Sequence, residues 1–116
     1  MYERFRRSFS YVVWKQEEIK KLIEFSDNPL VRGFAYVKHV MKDNGNTHYH
    51  FYFILNGMRT MYHLEKLTGV PKERIFFGRD TFKAELNYML RAGEVDEAVP
   101  GSFKTNIKGY KKYNGV

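Results

Sequence analysis

The chain has 116 residues, with 20 Lys and Arg against 13 Asp and Glu and no cysteine. That length fits one compact domain over residues 1–116, and the lack of thiols excludes disulfides and thiolate metal sites. The net charge of +7 favours a polyanionic partner, because each neutralised phosphate releases counterions.

The segment 1–8 is charged and has no signal-peptide core behind it. No apolar run approaches the roughly 18 residues of a membrane span, so an intracellular setting without a membrane is expected. Residues 9–15 (FSYVVWK) are aromatic and β-branched and read as a strand. Residues 16–25 follow with Ile19, Leu22, Ile23 and Phe25 at helical spacing, and the SDNP run at 26–29 stops that helix. Residues 32–41 and 47–55 read as two further strands. The Asn44-Gly45 pair between them is a strong short-range hairpin signal. Thr60 caps a short helix through Leu67. Pro71 opens a turn, and residues 74–77 (RIFF) make a fourth strand. Thr81 caps a last helix over 82–91, with Gly93 just past its end. Residues 94–116 differ in composition and read as a basic C-terminal tail. The order β-α-β-β-α-β-α fits an α+β fold, a single antiparallel sheet with helices packed on one face.

His48 and His50 stand two apart on the third strand, so both imidazoles project from one face. Two neutral imidazoles together start a divalent metal site. Read alone, the pair is equally two half-buried strand side chains. A two-residue Asn44-Gly45 turn would set His39 opposite His50 and Met41 opposite His48, adding His39 as a third ligand on the same face. A one-residue slip would send it to the other face. The opposite face would then carry Phe34, Tyr36 and Val40 beside Tyr49, Phe51, Phe53 and Leu55.

The helix over 82–91 has its apolar stripe at Phe82, Leu86, Met89 and Leu90. Tyr88 lies off that stripe near Ala84 and Arg91, where a phenol can approach a phosphate as a nucleophile. Tyr110 and Tyr113, set among lysines, are the rival positions. A flexible basic arm or a segment docking on a second subunit is the other reading of that region. Arg4, Arg6, Arg7, Lys104, Lys108, Lys111 and Lys112 are candidate DNA-backbone contacts. A non-catalytic single-stranded nucleic-acid-binding module is the alternative function, with Tyr11, Tyr52 and Phe76 as a stacking platform.

The run GNTHYHFYFIL at 45–55 resembles the histidine–hydrophobe–histidine motif of HUH endonucleases, the rolling-circle replication initiators of plasmids and single-stranded DNA viruses. The run ELNYMLRAG at 85–93 resembles their tyrosine motif, a Tyr with a basic residue three positions later on a helix. Arg91 stands where viral members usually have Lys, and residues 9–15 occupy the place of the family's first-motif strand. The resemblance implies a ferredoxin-like or RRM-like nuclease fold and a minimal single-domain initiator; single-tyrosine transposases share that fold. It also implies Mn²⁺ or Mg²⁺ on His48, His50 and His39, with Tyr88 as nucleophile and Arg91 beside it. Imidazole preferences also admit Zn²⁺. The implied activity is nicking and rejoining of single-stranded DNA at an origin or hairpin, in the cytoplasm of a prokaryotic host. A 5′-phosphotyrosine and a free 3′-OH would form. A homodimer would bring a second tyrosine.

Overall fold

A computed structural model describes residues 5–77, 81–91 and 93–108. In chain order they form strand β1 (Arg6–Val13), helix α1 (Gln16–Phe25), strands β2 (Val31–Met41) and β3 (Thr47–Arg59) and helix α2 (Met61–Thr68). A 3-10 turn (Lys72–Arg74), strand β4 (Ile75–Phe77), helix α3 (Phe82–Met89) and two short strands, β5 (Asp96–Ala98) and β6 (Lys104–Thr105), complete the order. The sheet runs β4-β1-β3-β2-β5, with β6 also pairing β2. Every pairing is antiparallel. The α+β class and the antiparallel sheet expected from the sequence are therefore what forms. The β-α-β-β-α-β start with the order β4-β1-β3-β2 is a ferredoxin-like arrangement.

Strand alternation divides the side chains between two faces. Phe9, Tyr11, Val13, Phe51, Phe53 and Leu55 point to one face, where Ile19, Leu22 and Phe25 of α1 and Leu64 of α2 bury them. Ile23, expected in the α1 stripe, faces solvent instead. Thr60 caps α2 reciprocally: its hydroxyl accepts from the His63 backbone N–H, and the His63 ring accepts from the Thr60 N–H. Gly69, at φ +75°, closes that helix in the left-handed region where glycine carries no Cβ penalty.

The other face carries Ala35, Val37 and Tyr52, covered by Met89 of α3. Helix α3 thus lies across the sheet from α1 and α2. Its stripe is the one the sequence indicates: Leu86 and Met89 are buried, and Phe82 and Leu90 partly so.

The β2–β3 hairpin forms in a different register from the expected one. His39 pairs with His48, and Val37 with His50. The loop is longer than a two-residue turn: Gly45 N–H donates to the Met41 carbonyl, and Met41 N–H to the Asn46 carbonyl. Among the described residues no non-glycine residue has positive φ, so Asn44 cannot take the first position of a type I′ turn. Gly45 alone, at φ +72°, makes the reversal. The resulting slip is two residues, and with side-chain period two it leaves His39 on the expected face.

The segment expected to be a basic tail contributes β5 and β6 to the sheet edge. These strands are too short and polar to show periodicity. Backbone bonds hold β5, including Lys42 N–H to the Val95 carbonyl and Val99 N–H to the Lys38 carbonyl.

Candidate metal centre

Four side chains converge on the α3 side of the sheet. His48 and His50 come from β3 and His39 from its neighbour β2. Asp96 comes from β5, opposite Met41 and so on the same face as His39. All four are buried, and one ligand atom from each lies within 4.8 Å of every other. The group could hold a metal ion.

The hydrogen-bond inventory points the same way. His39 Nε2 sits 2.6 Å from the Met89 carbonyl oxygen, so that nitrogen carries a proton and donates. His39 Nδ1 lies 3.0 Å from Asp96 Oδ2. His48 Nε2 lies 3.1 Å from the same Oδ2 and 3.1 Å from His50 Nε2. His50 Nε2 is 3.9 Å from Oδ2. Three ring nitrogens thus gather around one carboxylate oxygen, a donor set that a cation among them would bind. Imidazole nitrogens with one carboxylate oxygen suit a divalent first-row ion. Met89 acts as an outer partner, fixing the His39 tautomer by its backbone carbonyl. His48 Nδ1 is buried without a partner, and Trp14 stacks on the His48 ring at 4.2 Å.

Burial pushes His50 down to about 3, helped by His39 and His48 nearby. Burial likewise lowers His48, with His39 adding to it. Burial alone would raise Asp96, but the hydrogen bond from His39 and the Arg91 charge outweigh it, and the carboxyl ends below its ordinary value. His48 and His50 are therefore neutral at pH 7, and their nitrogens accept an ion without first losing protons. The same shifts couple the ion-free fold to pH. An unfolded chain protonates His50 near pH 6.5 while the folded chain resists until about 3. Stability is complete above pH 6.5 and falls as pH drops toward 3. Between pH 7.5 and 5, His50 alone should cost about 2 kcal/mol. Urea unfolding in EDTA at the two pH values measures this, and equal stabilities would contradict neutral burial.

Tyr88 and Arg91 border the centre. The Tyr88 ring meets His50 edge-on with centroids 5.4 Å apart. Arg91, just past the end of α3, bonds the Tyr88 carbonyl at 2.7 Å and Asp96 Oδ1 at 2.8 Å. Its guanidinium carbon lies 3.9 Å from the Tyr88 ring centroid. One cation thus ties the candidate nucleophile to a candidate ligand.

The structure brings together His39, His48, His50, Tyr88 and Arg91 from the sequence candidates and adds Asp96, which sequence reasoning did not name. The available signal was an acidic residue within an otherwise basic segment. The fourth histidine, His63, serves the α2 cap. The Arg6 guanidinium lies over the Phe77 ring at 5.0 Å, and Arg7, Lys104 and Lys108 are exposed. Arg4, Tyr110, Lys111, Lys112 and Tyr113 lie outside the described residues. The stacking platform does not form as expected: Tyr11 is in the core, and Tyr52 is buried with Phe82 stacked on it. Phe76 alone of the three is exposed. Among the described residues no helix is long and apolar enough to cross a membrane.

Compared with known proteins, the chain matches no family model and no curated protein. Fold and site together define a small antiparallel α+β domain with a buried candidate metal centre of three histidines and one aspartate.

Proposed function

We propose that this protein is a metal-dependent endonuclease and strand transferase that nicks and rejoins single-stranded DNA, as HUH replication initiators do. The observation that carries the reading is the position of Tyr88, its ring packed on His50 at the rim of a four-donor centre. His39, His48, His50 and Asp96 would hold the ion, with Mn²⁺ favoured by the nitrogen-rich donor set over Mg²⁺. When bound, the ion supplies Lewis-acid polarisation of the scissile phosphate.

The Tyr88 phenol oxygen attacks the phosphorus in line. An O–P bond forms as the bond from phosphorus to the 3′ oxygen breaks, and the leaving 3′ oxygen takes up a proton for the one the phenol gives up to solvent. The products are a 5′-phosphotyrosine and a 3′-OH. Attack by a 3′-OH on that link reverses the step, and because the link keeps the phosphodiester energy, no ATP is required. Arg91 holds Tyr88 against Asp96 and offsets the charge of the incoming phosphate. The net charge of +7 supports a nucleic-acid partner, and the proposed setting is a prokaryotic cytoplasm.

Labelled single-stranded DNA incubated with the protein and Mn²⁺ should give a covalent adduct on a denaturing gel, and EDTA should prevent it. DNA binding unaffected by EDTA, with no scission under any divalent ion, would instead favour a binding module.

A further inference from the structure

Among the described residues four aromatic side chains are exposed: Phe5, Trp14, Tyr62 and Phe76. Tyr62 belongs to α2, and Phe5 packs near His63 of the same helix. Trp14 and Phe76 lie instead on the face that carries the candidate centre. Phe76 of β4 pairs with Ser10 of β1, and Val12 of β1 pairs with His50; directly opposed residues share a face. Trp14 lies two residues beyond Val12, just past the end of β1, and stacks on His48.

The two rings therefore stand on either side of the centre. Ser10 and Trp14 are four residues apart, about 13 Å along an extended strand, and Val12, opposite His50, is midway between them. On the Phe76 side a cleft of about 570 Å³ opens between α3 and the β1–β4 edge, lined by Ser10, Val12, His50, Phe76 and Tyr88 among others. That volume falls within the roughly 300–1,000 Å³ typical of small-molecule pockets, which is room for a nucleoside. On the other side Trp14 remains 48% exposed despite its stack on His48, so indole surface is left for a base. Lys15 beside it is exposed as well. A phosphodiester carries a nucleoside on each side, so a phosphate at the centre needs two seats, and unpaired bases stack readily on exposed aromatic rings.

We propose that single-stranded DNA crosses the α3 face along β1, with one base stacked on Trp14, another on Phe76, and the phosphate to be cut between them at His50 and Tyr88. Stacking of this kind is tolerant of sequence, because every base has a π-face. The inference rests on single-stranded DNA being the substrate and adds the path it takes and the two side chains that hold it.

The test is equilibrium binding of fluorescent oligo-dT to the full chain in EDTA, at one fixed salt concentration. Trp14→Ala and Phe76→Ala should each weaken binding by about tenfold. Sites this far apart act independently, so the double variant should lose about a hundredfold. Trp14→Phe keeps a ring and should retain most of the affinity, which separates stacking from a merely structural role. Trp14 is the only tryptophan, so unlabelled oligo-dT should quench the protein's fluorescence saturably, in the wild type and, at higher concentration, in Phe76→Ala. Both side chains are exposed, so the variants should fold, as circular dichroism checks. Unchanged affinity in Trp14→Ala or in Phe76→Ala, a Trp14→Phe variant as weak as Trp14→Ala, or fluorescence that DNA leaves unaltered would each overturn the path. A protein that forms the adduct without these losses forfeits the path alone. One that shows the losses and the quenching yet never forms an adduct forfeits the nicking reading alone.

Discussion

Tyr88→Phe should abolish the covalent protein–DNA adduct, lowering its rate of formation by at least about a thousandfold, while DNA affinity stays nearly unchanged. The substitution removes only the hydroxyl. The ring keeps its edge-on contact with His50 and its place under the Arg91 guanidinium, so the fold should lose less than about 1 kcal/mol. Single-turnover assays with Mn²⁺, paired with anisotropy binding, separate the two effects. Tyr110→Phe is the matching control and should leave the adduct intact. If Tyr110→Phe removes the adduct and Tyr88→Phe does not, the nucleophile lies in the C-terminal segment.

Asp96→Asn should weaken Mn²⁺ binding by about a hundredfold or more, a larger loss than the roughly 10–100-fold that follows removal of an outer partner. Asp96 is the sole anion among the four donors. Its Oδ2 lies near all three imidazoles, while Oδ1 holds Arg91. An asparagine keeps one acceptor oxygen and loses the charge that offsets the ion. Trp14, the only tryptophan in the chain, stacks on His48, so paramagnetic Mn²⁺ at the centre should quench its fluorescence saturably. In the wild type, Mn²⁺ at a hundred times its dissociation constant should stabilise the fold by about 2.7 kcal/mol. At that same concentration an Asp96→Asn variant weakened a hundredfold is half saturated, so it should show no more than about half the quenching and about 0.4 kcal/mol of stabilisation. Reading the ion-dependent change, rather than absolute stability, keeps the result separate from any loss caused by freeing Arg91. A variant that binds Mn²⁺ as tightly as the wild type would remove Asp96 from the ligand set.

The histidine pair was legible because strand period two puts residues 48 and 50 on one face whatever the register. His39 was legible for a less secure reason. The expected two-residue turn was wrong, but the loop that replaced it moved the register by an even number, which preserves facing. Asp96 was not legible. It lies on a three-residue edge strand held by backbone bonds to β2, and such a strand leaves no hydrophobic pattern. Tyr52 reads as open because the sequence does not say that α3 crosses to the second face, and Tyr11 because the sequence does not give the pairing with Phe51 that sets it under α1 and α2. With both faces covered, alternation buries Tyr11 under α1 and α2, and Tyr52 under α3. Tyr88 and the α3 stripe were readable from helical spacing. The clamp that Arg91 makes on Asp96 was hidden because it depends on β5 turning back beside α3.

Mass spectrometry of the trypsin-digested adduct, formed on single-stranded DNA in Mn²⁺, tests most directly whether a cation and a phenol meet at one phosphorus. The peptide 84–91 contains Tyr88 as its single tyrosine. It should carry the oligonucleotide through a 5′-phosphate, and only when the ion is present. An oligonucleotide on any other peptide, or attachment that still forms with EDTA present from the start, would contradict the assignment of this centre.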